Sequence, residues 1–237
     1  MSANENTVFT DALSVVRLRG SLESFRRAMT RYRPNPLRLL FIAEAPPAYK
    51  FNRLFYFHDV KTGDALFLEM MKVIYGALIG FTETEGFLKP LSAKDVRGRK
   101  PELLNRFVSD GYFVIDASEQ PMPDGATATT KLAVLRQSLP ELNMRVKALL
   151  GEQRVPIVLI GGVTHEVCFG PLKDEGYNVI NEEMIDHPAR GGQLLFRKRL
   201  RAAEPHCTNP IDLSQNMKRP SGSMKSYMLF HAQPSNS

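Results

Sequence analysis

The sequence predicts an α/β fold, a three-layer αβα sandwich around a central four-stranded parallel sheet. Three observations carry that expectation. Four short apolar runs alternate with amphipathic stretches along the chain. Their order reads helix, strand, helices, strand, helix, strand, helix, strand, helix, which is the alternation of a parallel sheet covered by helices. Two of the runs, LRLLFIAEA (37–45) and VPIVLIGG (155–162), are almost continuously apolar, as strands are when both faces are covered.

The elements follow in order. A first helix is expected over 10–32, with an apolar stripe at Leu13, Val16, Leu22, Phe25 and Met29 and room for a break at Gly20. The strand at 37–45 comes next. GDALFLEMMKVIYGALIG (63–80) reads as a strongly apolar helix starting near Asp64. KPELLNRFVSDG (100–111) has Pro in its first turn and Gly at its end, the usual asymmetry of helix start and stop. YFVIDAS (112–118) is the second strand. Residues 129–151 read as one or two helices, with Pro140 at the joint because proline cannot donate to the helical ladder. The third strand leads into a short helix at 163–176. YNVINEEMI (177–185) is the fourth strand, and GQLLFRKRLRAAE (192–204) a basic last helix. Residues 1–204 make the expected domain. From Pro205 the chain turns to Ser, Pro, Asn and Met, so 205–237 are expected as a mobile or loosely docked tail.

Composition narrows the classes. The chain has 237 residues and a net charge of +6, with a pI near 9.4. That charge suits a nucleic-acid partner and equally suits an ordinary solvated surface. The two cysteines, Cys168 and Cys207, are too few thiolates for a zinc or iron–sulfur site, and no metal or cofactor is expected. No window approaches the roughly 18 apolar residues of a membrane span. The N-terminus, MSANENTVFTDAL, lacks a basic region followed by an apolar one. A cytoplasmic, reducing setting is the expectation, in which a Cys168–Cys207 disulfide would be out of place.

In open parallel sheets ligands bind at the carboxyl ends of the strands, so the residues after each strand are the candidates for chemistry. After the first strand, Glu44 meets the proline-rich turn AEAPP. A carboxylate there can orient a water or stabilise a cationic transition state, or simply cap a helix. The following loop holds Tyr49, Phe51, Phe55, Tyr56, Phe57 and His58, six rings in ten residues. Such rings stack on flat ligands, nucleobases included, or pack as core beneath the loop. After the second strand Asp116 can accept hydrogen bonds from a ligand, cap a helix or pair with a basic residue. Gly161 and Gly162 after the third strand allow close backbone approach, and His165 reads as structural. After the fourth comes DHPARGG (186–192). Pro188 restricts His187 to extended backbone, and a neutral imidazole N–H can donate to an oxygen gaining negative charge. Arg190 and the following helix can address a phosphate. The plain alternative is a surface turn before a solvated basic helix.

Taken together, the strand ends resemble the uracil-DNA glycosylase superfamily. AEAPP resembles the first motif of its bacterial and archaeal branch, Gly-Glu-Ala-Pro-Gly. HPARGG resembles the second, His-Pro-Ser and an intercalating loop. Phe57 and the TGDALFLEMM helix resemble the segment between them, and YFVIDAS the strand that ends in a base-reading Asn. The likeness runs from about Leu37 to Ala203. It implies base excision from DNA by a single chain that flips the nucleotide out of the helix. Glu44 would position the water and favour the oxocarbenium-like sugar. His187 would hydrogen-bond the uracil O2 of the departing anion. Phe57, or alternatively Phe55, would stack on the base, with Ala45 beside it and Asp116 reading its edge. Arg190 and Gly191 would enter the minor groove, and Arg197 would neutralise phosphate.

The chain departs from the pattern at Ala43, Pro47, Ala189 and Asp116, and it lacks the cysteines of the four-iron branch. An ionised Asp116 only accepts hydrogen bonds. It could take one from uracil N3–H but would repel O4, which leaves room for another base bearing an amino or ring N–H. Two further classes compete with a glycosylase: a catalytically impaired member that binds DNA or nucleobases without cleavage, and a small-molecule hydrolase or binding protein on the same architecture.

Overall fold

The structure is a computed structural model that describes residues 21–87, 92–189 and 191–203. The expectations for residues 10–20, Arg190, Cys207 and the tail lie outside these residues. Four parallel strands form the central sheet in the order β4-β1-β5-β6. They are β1 (Leu39–Ala43), β4 (Tyr112–Asp116), β5 (Pro156–Leu159) and β6 (Asn178–Val179). Helices flank the sheet, in agreement with the predicted three-layer sandwich. A separate antiparallel hairpin, β2 (Phe81–Thr82) with β3 (Gly86–Phe87), was not anticipated from the sequence.

β1 is central and every residue of it is buried, which explains its uninterrupted apolar run. It pairs with β4 on one side, Leu39 with Tyr112 through Ala43 with Asp116. On the other side Leu40 pairs with Ile157 and Ile42 with Leu159. The chain leaves β1 towards β4 but leaves β5 towards β6, so adjacent strands send their connections in opposite directions. The crevice at their carboxyl ends is the switch point where such sheets bind ligands.

The helices start where capping groups permit. α1 (Leu22–Arg31) opens on a capping box in which Ser21 and Ser24 each accept from the other's backbone N–H, satisfying donors that lack a helical partner. α2 (Ala65–Ile74) ends well short of the predicted residue 80, and the remainder turns into the hairpin. α3 (Ala93–Gly98), also unanticipated, precedes α4 (Lys100–Ser109). α5 (Ala128–Leu150) is a single continuous helix, not two joined at Pro140. Pro140 lies on the exposed face, where water can serve the carbonyl left without a donor. Leu135, Leu142 and Val146 bury on the other face and hold the helix together across it. α6 (Gly162–Asp174) packs on α5, and α7 (Gln193–Ala203) packs on α2.

The fourth strand is the main correction. Only Asn178 and Val179 join β5 as a strand, and an isolated bridge links Ile160 to Ile185. Between them the buried Asn181 side chain stands in for the ladder. Its amide oxygen accepts from Leu159 N–H at 2.8 Å and its amide nitrogen donates to the Leu159 and Glu183 carbonyls, both at 3.1 Å. A side-chain amide carries the same donor and acceptor as a peptide, so the strand can leave the sheet without orphaning Leu159.

The edge strand β4 is closed in a similar way. The hydroxyl of the buried Tyr56 donates to the Val114 carbonyl at 2.9 Å and accepts from Val114 N–H at 2.7 Å. Both groups would otherwise be buried without partners, each at a cost of about 1–3 kcal/mol. The Tyr56→Phe variant is therefore expected to lose about 2–4 kcal/mol of stability. Urea unfolding checks this as a lower midpoint at an unchanged slope.

Candidate functional site

A cavity of about 270 Å³ opens at the carboxyl ends of β1 and β4. Ala43, Ala45, Phe55, Asp64, Asp116 and His187 are among its lining residues. Three elements and two loops thus converge on one space. Ala43 ends β1 and Ala45 follows it, Asp116 ends β4, Asp64 stands just before α2, Phe55 comes from the aromatic loop, and His187 comes from the loop before α7. The small side chains at 43 and 45 leave the opening, and the burial of Phe55 supplies a ring wall.

Asp116 is the perturbed carboxyl in the cavity. Burial pushes its pKa up to about 7, with the nearby Glu44 carboxylate adding to the rise and the Arg145 guanidinium opposing it. Arg145 does not pair with the carboxyl. It donates instead to the backbone carbonyls of Asp116 and Ala117 at 2.9 and 2.8 Å, closing the end of β4. Among the described residues nothing hydrogen-bonds the Asp116 carboxyl, which is left to whatever enters the cavity.

His187 sits at the rim and is exposed. Its Nδ1 accepts from Ala189 N–H at 3.3 Å, so the neutral ring carries its hydrogen on Nε2. Partial dehydration lowers its pKa; the Glu44 carboxylate opposes this shift and Lys131 reinforces it. The imidazole is accordingly neutral at pH 7. The loop is braced by Arg199, which donates to Asp186 at 3.1 Å, and by the bridge from Ile160 to Ile185.

Glu44 lies beside the switch point, where a Cβ at Gly161 would come within 3.9 Å of its own Cβ. Gly161 has φ +109, a conformation that side chains rarely adopt. The Glu44 carboxylate receives a hydrogen bond from Lys131 Nζ at 2.6 Å. Lys131, on the first turn of α5, had no signal in the sequence and reads there as one more helix-surface cation. Asp64 and Arg53 were also missed as lining residues. Asp64 accepts from Arg97 at 2.8 Å, and the fully buried Lys100 lies 3.9 Å away. Burial lowers the Lys100 pKa to about 8, although Asp64 opposes the shift.

Two expectations change. Phe57 does not line this cavity. It packs edge-on against Phe25 at 5.3 Å between ring centroids and faces a second hollow, whereas Phe55, the alternative, forms the cavity wall. The reason is the Tyr56 anchor: consecutive residues on either side of it are sent to different spaces. Arg197 is not free to meet phosphate. It donates to Glu83 at 2.8 and 3.0 Å and pairs with Glu69. Glu69 is buried on α2, and a buried carboxylate needs such a partner. Gly191 is exposed with φ +92, in a turn beside the His187 loop. The exposed Leu194 and Leu195 follow it.

Other sequence-level candidates are structural. His165 bonds to the Asn181 carbonyl at 3.1 Å and stacks on Phe169. Cys168 is buried, which pushes its thiol pKa up to about 12 and leaves it unreactive. Among the described residues there is no cluster of three side chains able to hold a metal ion, and no helix is long and apolar enough to cross a membrane. Comparison with family models, curated proteins and solved structures finds no match to this chain. Its class rests on the fold and site themselves: an α/β protein with a carboxyl-lined cavity at the carboxyl ends of two parallel strands, β1 and β4.

Two outcomes are expected here. In an unfolded chain Asp116 ionises near pH 4, while in the folded chain it holds its proton to about pH 7. Over that window the folded state binds more protons, so its stability falls as pH rises. Asp116→Asn lacks this loss. Its stability relative to the unsubstituted chain should rise by about 1–3 kcal/mol between about pH 5 and pH 8, measured by urea unfolding. Arg197→Met, which leaves the buried Glu69 with Lys72 alone and removes the link to Glu83, should cost about 1–3 kcal/mol in the same measurement.

Proposed function

We propose that this chain is a DNA glycosylase, acting as a monomer, that takes a deaminated or damaged base out of the duplex and hydrolyses its N-glycosidic bond. The observation that carries this reading is the meeting of Asp116, His187 and an aromatic wall in one cavity, with Glu44 beside it at the switch point. Their order along the chain also resembles that of the uracil-DNA glycosylase superfamily.

Each group has a chemical part in that reaction. The base enters the cavity against Phe55, with the small Ala45 leaving room for it. Asp116, near half protonation at neutral pH, presents a hydroxyl donor and a carbonyl acceptor side by side. That pair matches a base edge with an oxygen beside a ring N–H, such as O4 and N3–H of uracil. As the bond to the sugar breaks, the base leaves with negative charge on O2, and His187 donates its Nε2 hydrogen bond to it. A neutral donor aimed at developing charge lowers the barrier without a proton transfer. Glu44 orients the water that attacks the sugar carbon, and its negative charge favours the oxocarbenium-like state. Lys131 holds one carboxylate oxygen of Glu44 and leaves the other for the water. Leu194 and Leu195 beside the loop are apolar wedges of the kind that fill a vacated stack. A cytoplasmic setting belongs to the same proposal.

The Lys131–Glu44 pair also favours a second reading, in which the engaged carboxylate leaves a protein that binds flipped bases without cleaving them. Base release separates the two. Labelled oligonucleotides carrying uracil, hypoxanthine, xanthine or mismatched thymine, in single and double strands, should yield free base from at least one lesion. Glu44→Ala and His187→Ala should each lower release by about two orders of magnitude or more. Uracil release should fall as pH rises through about 7, where Asp116 loses its donor, and Asp116→Asn should flatten that profile. Binding without release on every lesion would favour the second reading, and equal release by both alanine variants would overturn the first.

A further inference from the structure

The second hollow, about 460 Å³, lies on the other side of Tyr56 from the cavity. Arg27, Arg31, Tyr32, Asn52, Phe57 and His58 line it, together with the exposed Asp59 next to His58. Arg27 and Arg31 stand one helical turn apart on α1, which puts both guanidiniums on one face. Arg27 pairs with Glu23 at 2.8 Å, with both side chains about two-thirds exposed, so the pair is weak and exchangeable. Arg31 has no acidic partner among the described residues, and its guanidinium lies 5.7 Å from the Tyr32 ring.

The rings form the opposite wall. Tyr32 is stacked on Tyr56 and set edge-on to His58, whose Nε2 shares a hydrogen bond with the Tyr32 hydroxyl. Burial and the positive charges of Arg31 and Lys100 hold the His58 pKa below its ordinary value, so this ring is neutral and available for stacking. Phe57 spends one side on Phe25 and is only partly covered. Asn52 sits in the left-handed backbone region, φ 48, and its buried side-chain oxygen has no hydrogen-bond partner. A buried acceptor left in this way calls for a donor.

We propose that this hollow binds a nucleoside monophosphate unit, the phosphate on Arg27 and Arg31 and the base against Phe57 with an amino or ring N–H on Asn52. Flat rings, two guanidiniums and a waiting acceptor match an aromatic base joined to a phosphate. An aliphatic acid would leave the rings unused, and a neutral aromatic would leave the arginines unused. The unit could come from a free nucleotide or from a nucleic-acid strand. The proposal does not depend on base excision in the first cavity.

Calorimetric titration of the full chain with AMP, inorganic phosphate and an unmodified single-stranded oligonucleotide tests it. AMP should bind with a dissociation constant in the micromolar to millimolar range, and phosphate about tenfold or more weakly, because stacking supplies the difference. Arg31→Glu and Phe57→Leu should each weaken AMP about tenfold or more, while Asp116→Asn in the first cavity leaves it unchanged. Arg31 is exposed, so its substitution keeps the test decisive even if Phe57→Leu disturbs packing on Phe25. Displacement of AMP by the oligonucleotide identifies a strand as the source, and AMP retained under saturating oligonucleotide identifies a free nucleotide. Two results would overturn the proposal: no binding of AMP or oligonucleotide, or binding that ignores Arg31→Glu and Phe57→Leu and is lost in Asp116→Asn.

Discussion

The hydroxyl of Tyr56 bonded to both backbone groups of Val114 is the contact on which the functional end of this molecule depends. An edge strand carries unpaired N–H and C=O groups that must be covered or exposed to water. Here one phenol covers both, and burial raises its pKa well above the ordinary value, so it stays a neutral donor and acceptor. The contact does more than close an edge. It ties the aromatic loop to the sheet and makes Tyr56 the wall between two hollows. Phe55 is committed to one side and Phe57 to the other. A flexible aromatic loop has many ways to pack; a loop pinned at its middle ring has few.

Charge is handled by a second set of constraints. Glu69 is buried on α2 and is met by Lys72 from its own helix and Arg197 from α7. Arg197 and Arg201 extend the pairing to Glu83 in the hairpin. One buried carboxylate thus joins two helices and a turn, and removing a partner from such a group is costly because a buried charge is left with less compensation. Asp64, Arg97 and Lys100 make a similar knot beneath the cavity. The net charge of +6 therefore overstates how much basic surface is available, since several of the cations on α7 have internal partners.

The cavity contrasts with these knots. Its Asp116 carboxyl is dehydrated but has no side-chain partner among the described residues, and it sits within the field of Glu44. Burial holds the Asp116 carboxyl towards its protonated form, while the Glu44 carboxylate is bonded to Lys131. A donor–acceptor pair and a carboxylate held by an ammonium thus stand at the ends of neighbouring strands. Their convergence follows from register, because Ala43 pairs with Asp116 and sets the ends of β1 and β4 side by side.

The sequence by itself determined the architecture and which polar side chains stand at the strand ends. Apolar runs too continuous for an exposed sheet specify buried parallel strands, and in such a fold the carboxyl ends of the strands are where polar groups meet a ligand. Glu44, Asp116 and His187 were legible for that reason. The tertiary structure decided what those groups can do. It continued α5 through Pro140 because the burying face outweighs one missing hydrogen bond. It let Asn181 replace most of the fourth strand, a substitution that apolar patterning cannot reveal. It assigned Phe55 and Phe57 to different spaces, turned Arg197 inward, brought Lys131 to Glu44 across 87 residues of chain and raised Asp116 towards neutrality. Each of these depends on which distant groups come within a few ångströms and on how much water is excluded there. Local patterning carries no record of either.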